Sequence, residues 1–118
     1  MSYNYSNDTP IYLQIVDIII TDIVSGNVKP GERLPSVREY STLFKANPNT
    51  IAKSLTILED LKLIYTERTN GKFVTSDLAL INKKKKEIFE LKFNNFIKEM
   101  NDLGFTYQDI ENKLKREK

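Results

Sequence analysis

The chain has 118 residues, 40% hydrophobic and 29% charged, which suits one domain, or one small domain with an appendage, under a charged surface. It contains no cysteine and no histidine, so disulfides, thiolate metal sites, the commonest zinc ligand and the commonest general base are all missing, and neither enzymatic activity nor a metal or cofactor is expected. A net charge of +2 is far from polybasic, so affinity for nucleic acid has to come from where the charges cluster.

Residues 1–9 read as a flexible polar arm. Thr9 is placed to cap a first helix with Pro10 at its first position, and Ile11, Ile15, Ile18, Ile19 and Ile23 follow on one face. Asp17 and Asp22 interrupt the apolar stretch from Ile15 to Val24, and no basic residue precedes it, so neither a membrane span nor a signal peptide is expected. With no cysteine to oxidise, the chain suits a reducing cytoplasm, and with no apolar span no membrane partner is expected. Gly26 stops the helix, Pro30-Gly31 turns, and Leu34 is expected in the core.

A second, short helix starts at Ser36, whose hydroxyl and the Glu39 carboxylate form a capping box. Val37, Tyr40, Leu43 and Phe44 are its expected inward face. Asn47 caps a third helix with Pro48 at its first position; Ile51, Leu55, Leu58 and Leu61 form its buried stripe, and Asn49, Thr50, Lys53 and Ser54 look outward. Two β-prone runs follow, Leu63 to Glu67 and Lys72 to Thr75, with Asn70-Gly71 supplying the positive backbone angles of a tight turn.

The composition then changes. Lys83 to Lys86 is a basic run that spreads around a helix and forms no single stripe, so it reads as a solvated spacer and not as a second nucleic-acid patch. Phe89, Phe93, Phe96, Met100 and Leu103 carry a heptad-like seam on a long helix starting near Asp77, and Ile88 beside it joins the expected dimerisation set with Ile110 and Leu114. Gly104 ends that helix. Thr106 and Asp109 cap another, Phe105 and Ile110 staple its start, and Tyr107, Ile110 and Leu114 are its apolar face. A lone helix cannot bury such a seam, so a second copy of the chain is the expected partner.

Helix, tight turn, helix and hairpin in that order predict a winged helix-turn-helix over 10–76, mainly α with a small β-hairpin, followed by a two-helix dimerisation tail over 77–118. Its expected ligand is an operator in double-stranded DNA. Ser36 and Arg38 would hold a phosphate at a helix start, and Asn47, Asn49, Thr50, Lys53 and Ser54 would meet the major groove. Arg68, Gly71 and Lys72 would approach the flanking backbone. The rival class is a winged-helix module that binds a protein, kept open by the near-neutral charge; a carboxylate-based enzyme has no acidic pair in a recognisable motif. Nothing in the residue pattern specifies a small-molecule effector.

The motifs also carry a resemblance. Pro10-Ile11-Tyr12-Leu13-Gln14-Ile15, Lys29-Pro30-Gly31, Leu34-Pro35-Ser36-Val37-Arg38-Glu39, Asn47-Pro48-Asn49-Thr50-Ile51, Leu58-Glu59, Phe73-Val74 and Leu103-Gly104-Phe105-Thr106 make the chain similar to the GntR superfamily of bacterial regulators, and within it to the small YtrA-like group. The resemblance spans nearly the whole chain. It implies a homodimer that binds an operator, in most members as a repressor, often of transporter genes. It also implies DNA contact by Arg38, Asn49, Thr50 and Gly71. Pro48 and Ala52 stand where many members have basic residues, and Lys62 and Thr69 where glycines are usual. The last two departures bear on the geometry of the wing.

Overall fold

A computed structural model of the chain describes residues 5–117. Among them are helices α1 (Ile11–Ser25), α2 (Val37–Phe44), α3 (Pro48–Asp60), α4 (Leu78–Asp102) and α5 (Tyr107–Arg116), with strands β1 (Ile64–Glu67) and β2 (Gly71–Val74) between α3 and α4. The mainly helical architecture with one hairpin agrees with the sequence reading. The chain forms two compact units that divide between Lys83 and Lys84, inside α4, seven residues beyond the change in sequence character at 76/77.

Of the expected arm over residues 1–9, residues 1–4 lie outside the described residues. The remainder is tied to helices. The Tyr5 hydroxyl donates to the Phe44 carbonyl at 2.6 Å. Gln14 accepts from the Ser6 amide and donates Nε2–H to the carbonyls of Ser6 and Thr9.

The start of α1 differs from expectation. Pro10, and not Thr9, is the N-cap; its ψ of 142° keeps it extended, and no side chain caps the helix. The orphan amides at this end are met through the carbonyl of Pro10, which accepts from Leu13 and Gln14. The buried face is Ile15, Val16, Ile19, Ile20 and Ile23; Ile18 is half-buried and Ile11 exposed. Apolar residues run most of the way round this helix, so spacing alone left the inward arc under-determined, and packing on α3 chooses it.

In α2 the capping box forms as expected: Ser36 Oγ accepts from the Glu39 amide at 3.1 Å, and Glu39 Oε1 accepts from the Ser36 amide at 2.9 Å. Tyr40 and Phe44 are buried, their ring centroids 5.4 Å apart. Leu43, expected inward, is 46% exposed: eight residues give this helix little more than two turns, and the two aromatic rings fill the inner face. Asn47 Oδ1 accepts from the Asn49 amide at 2.8 Å and Pro48 follows at the first position of α3. Ile51, Leu55 and Leu58 reach the core, but Leu61 is the C-cap of α3 and 39% exposed.

Lys62, just beyond that cap, has φ 66°, a left-handed conformation that costs an L-residue with a Cβ about 1–2 kcal/mol. Part of this returns as chain entropy if glycine is substituted. Lys62→Gly is therefore expected to raise stability by about 0.5–1 kcal/mol, read as a higher urea midpoint at unchanged m-value.

The wing is a hairpin with Ile64 opposite Val74 and Glu67 opposite Gly71. Its loop is thus Arg68-Thr69-Asn70, one residue shorter than the connection between the expected strands, because Gly71 pairs with Glu67. The Asn70 amide donates to the Glu67 carbonyl at 3.1 Å, and Gly71 alone of the expected pair takes a positive φ, 103°. A three-residue loop closed by a left-handed glycine needs no strain at position 69. A further edge was not anticipated: Arg33 bridges Phe73, with the Leu34 amide donating to Lys72 and the Val74 amide donating to Glu32. The segment after the Pro30-Gly31 turn so covers the outer side of β2.

In the second unit α4 ends at the expected glycine. Gly104, at φ 97°, donates to Asn101, and the Phe105 amide donates to Met100 at 3.0 Å, a left-handed helix stop. Thr106 and Asp109 form the capping box of α5.

Candidate nucleic-acid interface

The first unit presents its polar residues from three places: the start of α2, the first two turns of α3, and the hairpin. At the start of α2 the Ser36 hydroxyl accepts from the helix and keeps its own proton to donate. Arg38 is exposed. The two carboxylates that could neutralise it are engaged elsewhere, Glu39 on the Ser36 amide and Glu32 on the Lys29 amide. Among the described residues Arg38 has no ion-pair partner.

On α3, Asn49 and Lys53 are exposed and Thr50 half-buried. At offsets of three and four residues they share one face. Asn47 is exposed, but its side-chain oxygen is spent on the helix cap. Ser54 does not look outward. It is fully buried, and its hydroxyl lies 2.8 Å from the Tyr12 carbonyl and 3.1 Å from the Thr50 carbonyl. Its expected place in a DNA contact set is therefore a mistake. A small hydroxyl can satisfy itself against backbone and enter a helix–helix contact, which hydropathy spacing does not anticipate.

The wing divides likewise. Arg68 is exposed at the tip. Lys72, expected to reach for DNA, is ion-paired with Glu59 of α3 and donates to Thr66 Oγ1 at 2.8 Å; Thr66 in turn donates to Glu59 at 3.0 Å. This triangle braces β1 and β2 against α3, so Lys72 orients the wing and is not an outward cation. Gly71 lies under Arg33: a Cβ there would meet the guanidinium Nε at 3.1 Å. Arg33 is exposed and was missed in the sequence, where nothing signalled that its strand-like segment joins the wing. Tyr12 was missed too; the Lys53 ammonium sits 4.0 Å above its ring centroid.

The Lys72 hydrogen bond holds the Glu59 carboxyl below its ordinary 4.5, and the Ser36 amide does the same for Glu39. Groups depressed on folding contribute stability above their unfolded value and lose it as pH falls through the folded one. Thermal midpoints are thus expected to drop as pH is lowered below about 4.5, and to drop less in Glu59→Gln. An equal fall in both proteins would show that this triangle plays no part.

In the second unit the expected seam is largely uncovered. Phe89 is 63% exposed, Phe93 37% and Phe96 44%. Leu103 and Leu114 are also exposed, while Ile88, Met100 and Ile110 are half-buried. The rings of Phe89 and Phe93 stack with centroids 6.0 Å apart. Phe96, Met100, Phe105, Ile110 and Leu114 line an open groove of about 450 Å³ between α4 and α5. Leu91, Phe105 and Tyr107 add exposed apolar surface that the seam did not include. No described helix is long and apolar enough to cross a membrane.

Known proteins share this arrangement. The family of bacterial regulatory proteins described as the gntR family matches residues 11–74. The HTH-type transcriptional regulator YhcF of Bacillus subtilis is 34% identical over 110 residues, 93% of this chain and 91% of YhcF. The HTH-type transcriptional repressor YtrA of the same organism is 41% identical over 71 residues, 60% of this chain but only 55% of YtrA. Among solved structures, a GntR family transcriptional regulator from Listeria monocytogenes superposes with a TM-score of 0.87 at 38% identity, covering 95% of this chain and 98% of that one. The DNA-binding domain of AraR, solved with operator ORX1, gives 0.56 at 26% identity over 64% of this chain and 92% of its own. With a winged helix-turn-helix fold and likeness to these regulators along nearly its whole length, the chain belongs to the GntR family: it is a DNA-binding transcription regulator of the YtrA-like kind, not an enzyme.

Proposed function

We propose that this chain is a cytoplasmic homodimeric repressor that binds a palindromic operator. One observation carries the reading: the amino end of α3 exposes Asn49 and Lys53 on one face, while α2 beside it exposes an unpaired Arg38. Asn49 suits the paired donor and acceptor of an adenine edge, and Thr50 a phosphate or a thymine methyl. Lys53 suits a guanine edge, while Arg38, with Ser36, suits the backbone. Arg68 at the wing tip approaches the flanking groove, and over Gly71 the exposed Arg33 guanidinium does so in that glycine's place. Likeness to AraR, whose domain is solved on an operator, and to a relative named a repressor supports the same reading. The uncovered aromatic seam supports a second copy of the chain as the partner of the tail.

Selection of bound duplexes from a random pool tests this directly. The expected result is a two-fold symmetric site with half-sites centred about one helical turn apart, bound with an affinity that falls steeply as salt rises. Transcription from a promoter carrying that site should drop when the protein is supplied. Enrichment of no duplex, or binding indifferent to salt, would overturn the proposal and favour a protein-binding module.

A further inference from the structure

Two consecutive residues of α3 converge on one residue of α1. The Ser54 hydroxyl donates to the Tyr12 carbonyl at 2.8 Å, and the Lys53 ammonium lies 4.0 Å over the centre of the Tyr12 ring. In the first contact Ser54 is fully buried and Tyr12 half-buried, and the bond fixes the height of Tyr12 against the second turn of α3. The second is at the surface, where an unassisted lysine samples many rotamers and acts as a diffuse point charge. A ring anchored through its own backbone to the neighbouring residue gives that ammonium a defined place. Lys53 also stands a turn beyond Asn49 and Thr50 on the same face, so the place it is given lies on the side of α3 offered to the groove.

We infer that Tyr12 is a positioning residue for base discrimination: its aromatic face holds Lys53 so that the ammonium meets one base edge instead of wandering along phosphates. This rests on the DNA-binding reading and goes beyond it, because it gives a specificity role to a helix outside the helix-turn-helix pair. Phenylalanine preserves the aromatic face, and leucine preserves bulk and helix while removing it.

The experiment compares wild type, Tyr12→Phe, Tyr12→Leu, Lys53→Met and the Tyr12→Leu/Lys53→Met double variant. Each is titrated against the selected duplex, against single-base variants of it and against random duplex. The ε-methylene proton shifts of Lys53 are recorded without DNA. Tyr12→Phe is expected to keep wild-type discrimination. Tyr12→Leu should lose about three- to fivefold at a single base pair, the size of an exposed cation–π contact, with affinity for random duplex unchanged. That loss should vanish in the Lys53→Met background, and the ring-current shift of Lys53 should vanish in Tyr12→Leu. A ring-current shift in a wild-type protein that binds no duplex defeats the DNA-binding reading while leaving the contact itself intact, and the specificity role falls with that reading. Discrimination that survives Tyr12→Leu, or that falls equally with and without Lys53, overturns the positioning role alone. If Tyr12→Leu does not fold, Lys53→Met decides: full discrimination without Lys53 overturns the inference, and loss at one base pair, kept in Tyr12→Phe, supports it.

Discussion

Replacing Arg38 with alanine is expected to weaken binding by about ten- to a hundredfold, the range for a charge-assisted hydrogen bond, and to weaken it on operator and random duplex alike. A guanidinium on a phosphate carries no sequence information, so its removal leaves the preference between duplexes intact while reducing the salt slope by about one. The structure makes the expectation sharp because the carboxylates of Glu32 and Glu39 are occupied by backbone amides, so Arg38 enters a complex without first breaking an ion pair. Asn49→Ala is expected to behave in the opposite way. It should leave random-duplex affinity and the salt slope unchanged but cost about 1–3 kcal/mol of preference at one base pair. Fluorescence anisotropy titrations at several salt concentrations separate the two patterns. A sequence-dependent loss for Arg38→Ala, or a uniform one for Asn49→Ala, would reverse the proposed assignments.

The second large effect is expected from the tail. Glutamate at both Phe93 and Phe96 should yield a monomer by analytical ultracentrifugation, because two desolvated carboxylates cannot be carried into an apolar contact between copies. Each half-site then binds alone. Since joining two readers multiplies affinity by about 10²–10⁴, operator affinity should fall by a comparable factor even though every DNA-facing residue is intact. The first unit should keep its stability, for the two compact units divide before the seam, between Lys83 and Lys84. A sedimentation profile identical to wild type would exclude Phe93 and Phe96 from the interface, and the uncovered groove bounded by Phe105, Ile110 and Leu114 would then be the surface to substitute next.

Much of the molecule is local in origin and was legible residue by residue. Asn47 before Pro48, and the pairs Ser36 with Glu39 and Thr106 with Asp109, satisfy helix amides within a few positions of themselves, and all three caps form. Gly26 and Gly104 stop helices because a left-handed residue closes the last turn wherever the chain leads afterwards. The order of elements, and with it the family and the exposed edge of α3, follows from signals of this kind.

Partnerships between distant segments were not legible, because no periodicity encodes them. Ser54 reads as polar and outward, yet a carbonyl 42 positions earlier draws it inside. Lys72 reads as a wing cation, yet Glu59 takes it. Arg33 carries no signal in the sequence, yet it bridges β2 and covers Gly71. Sequence by itself determined where helices start and stop, the cap of α1 excepted, and which residue types stand at the amino end of α3, since those depend on hydrogen bonds and sterics spanning a turn or two. Only the tertiary structure decided which of those polar groups remain available to a ligand. A charge or hydroxyl is removed from the surface by whatever packs against it, and that neighbour is set by how α1, α3 and the hairpin close on one another.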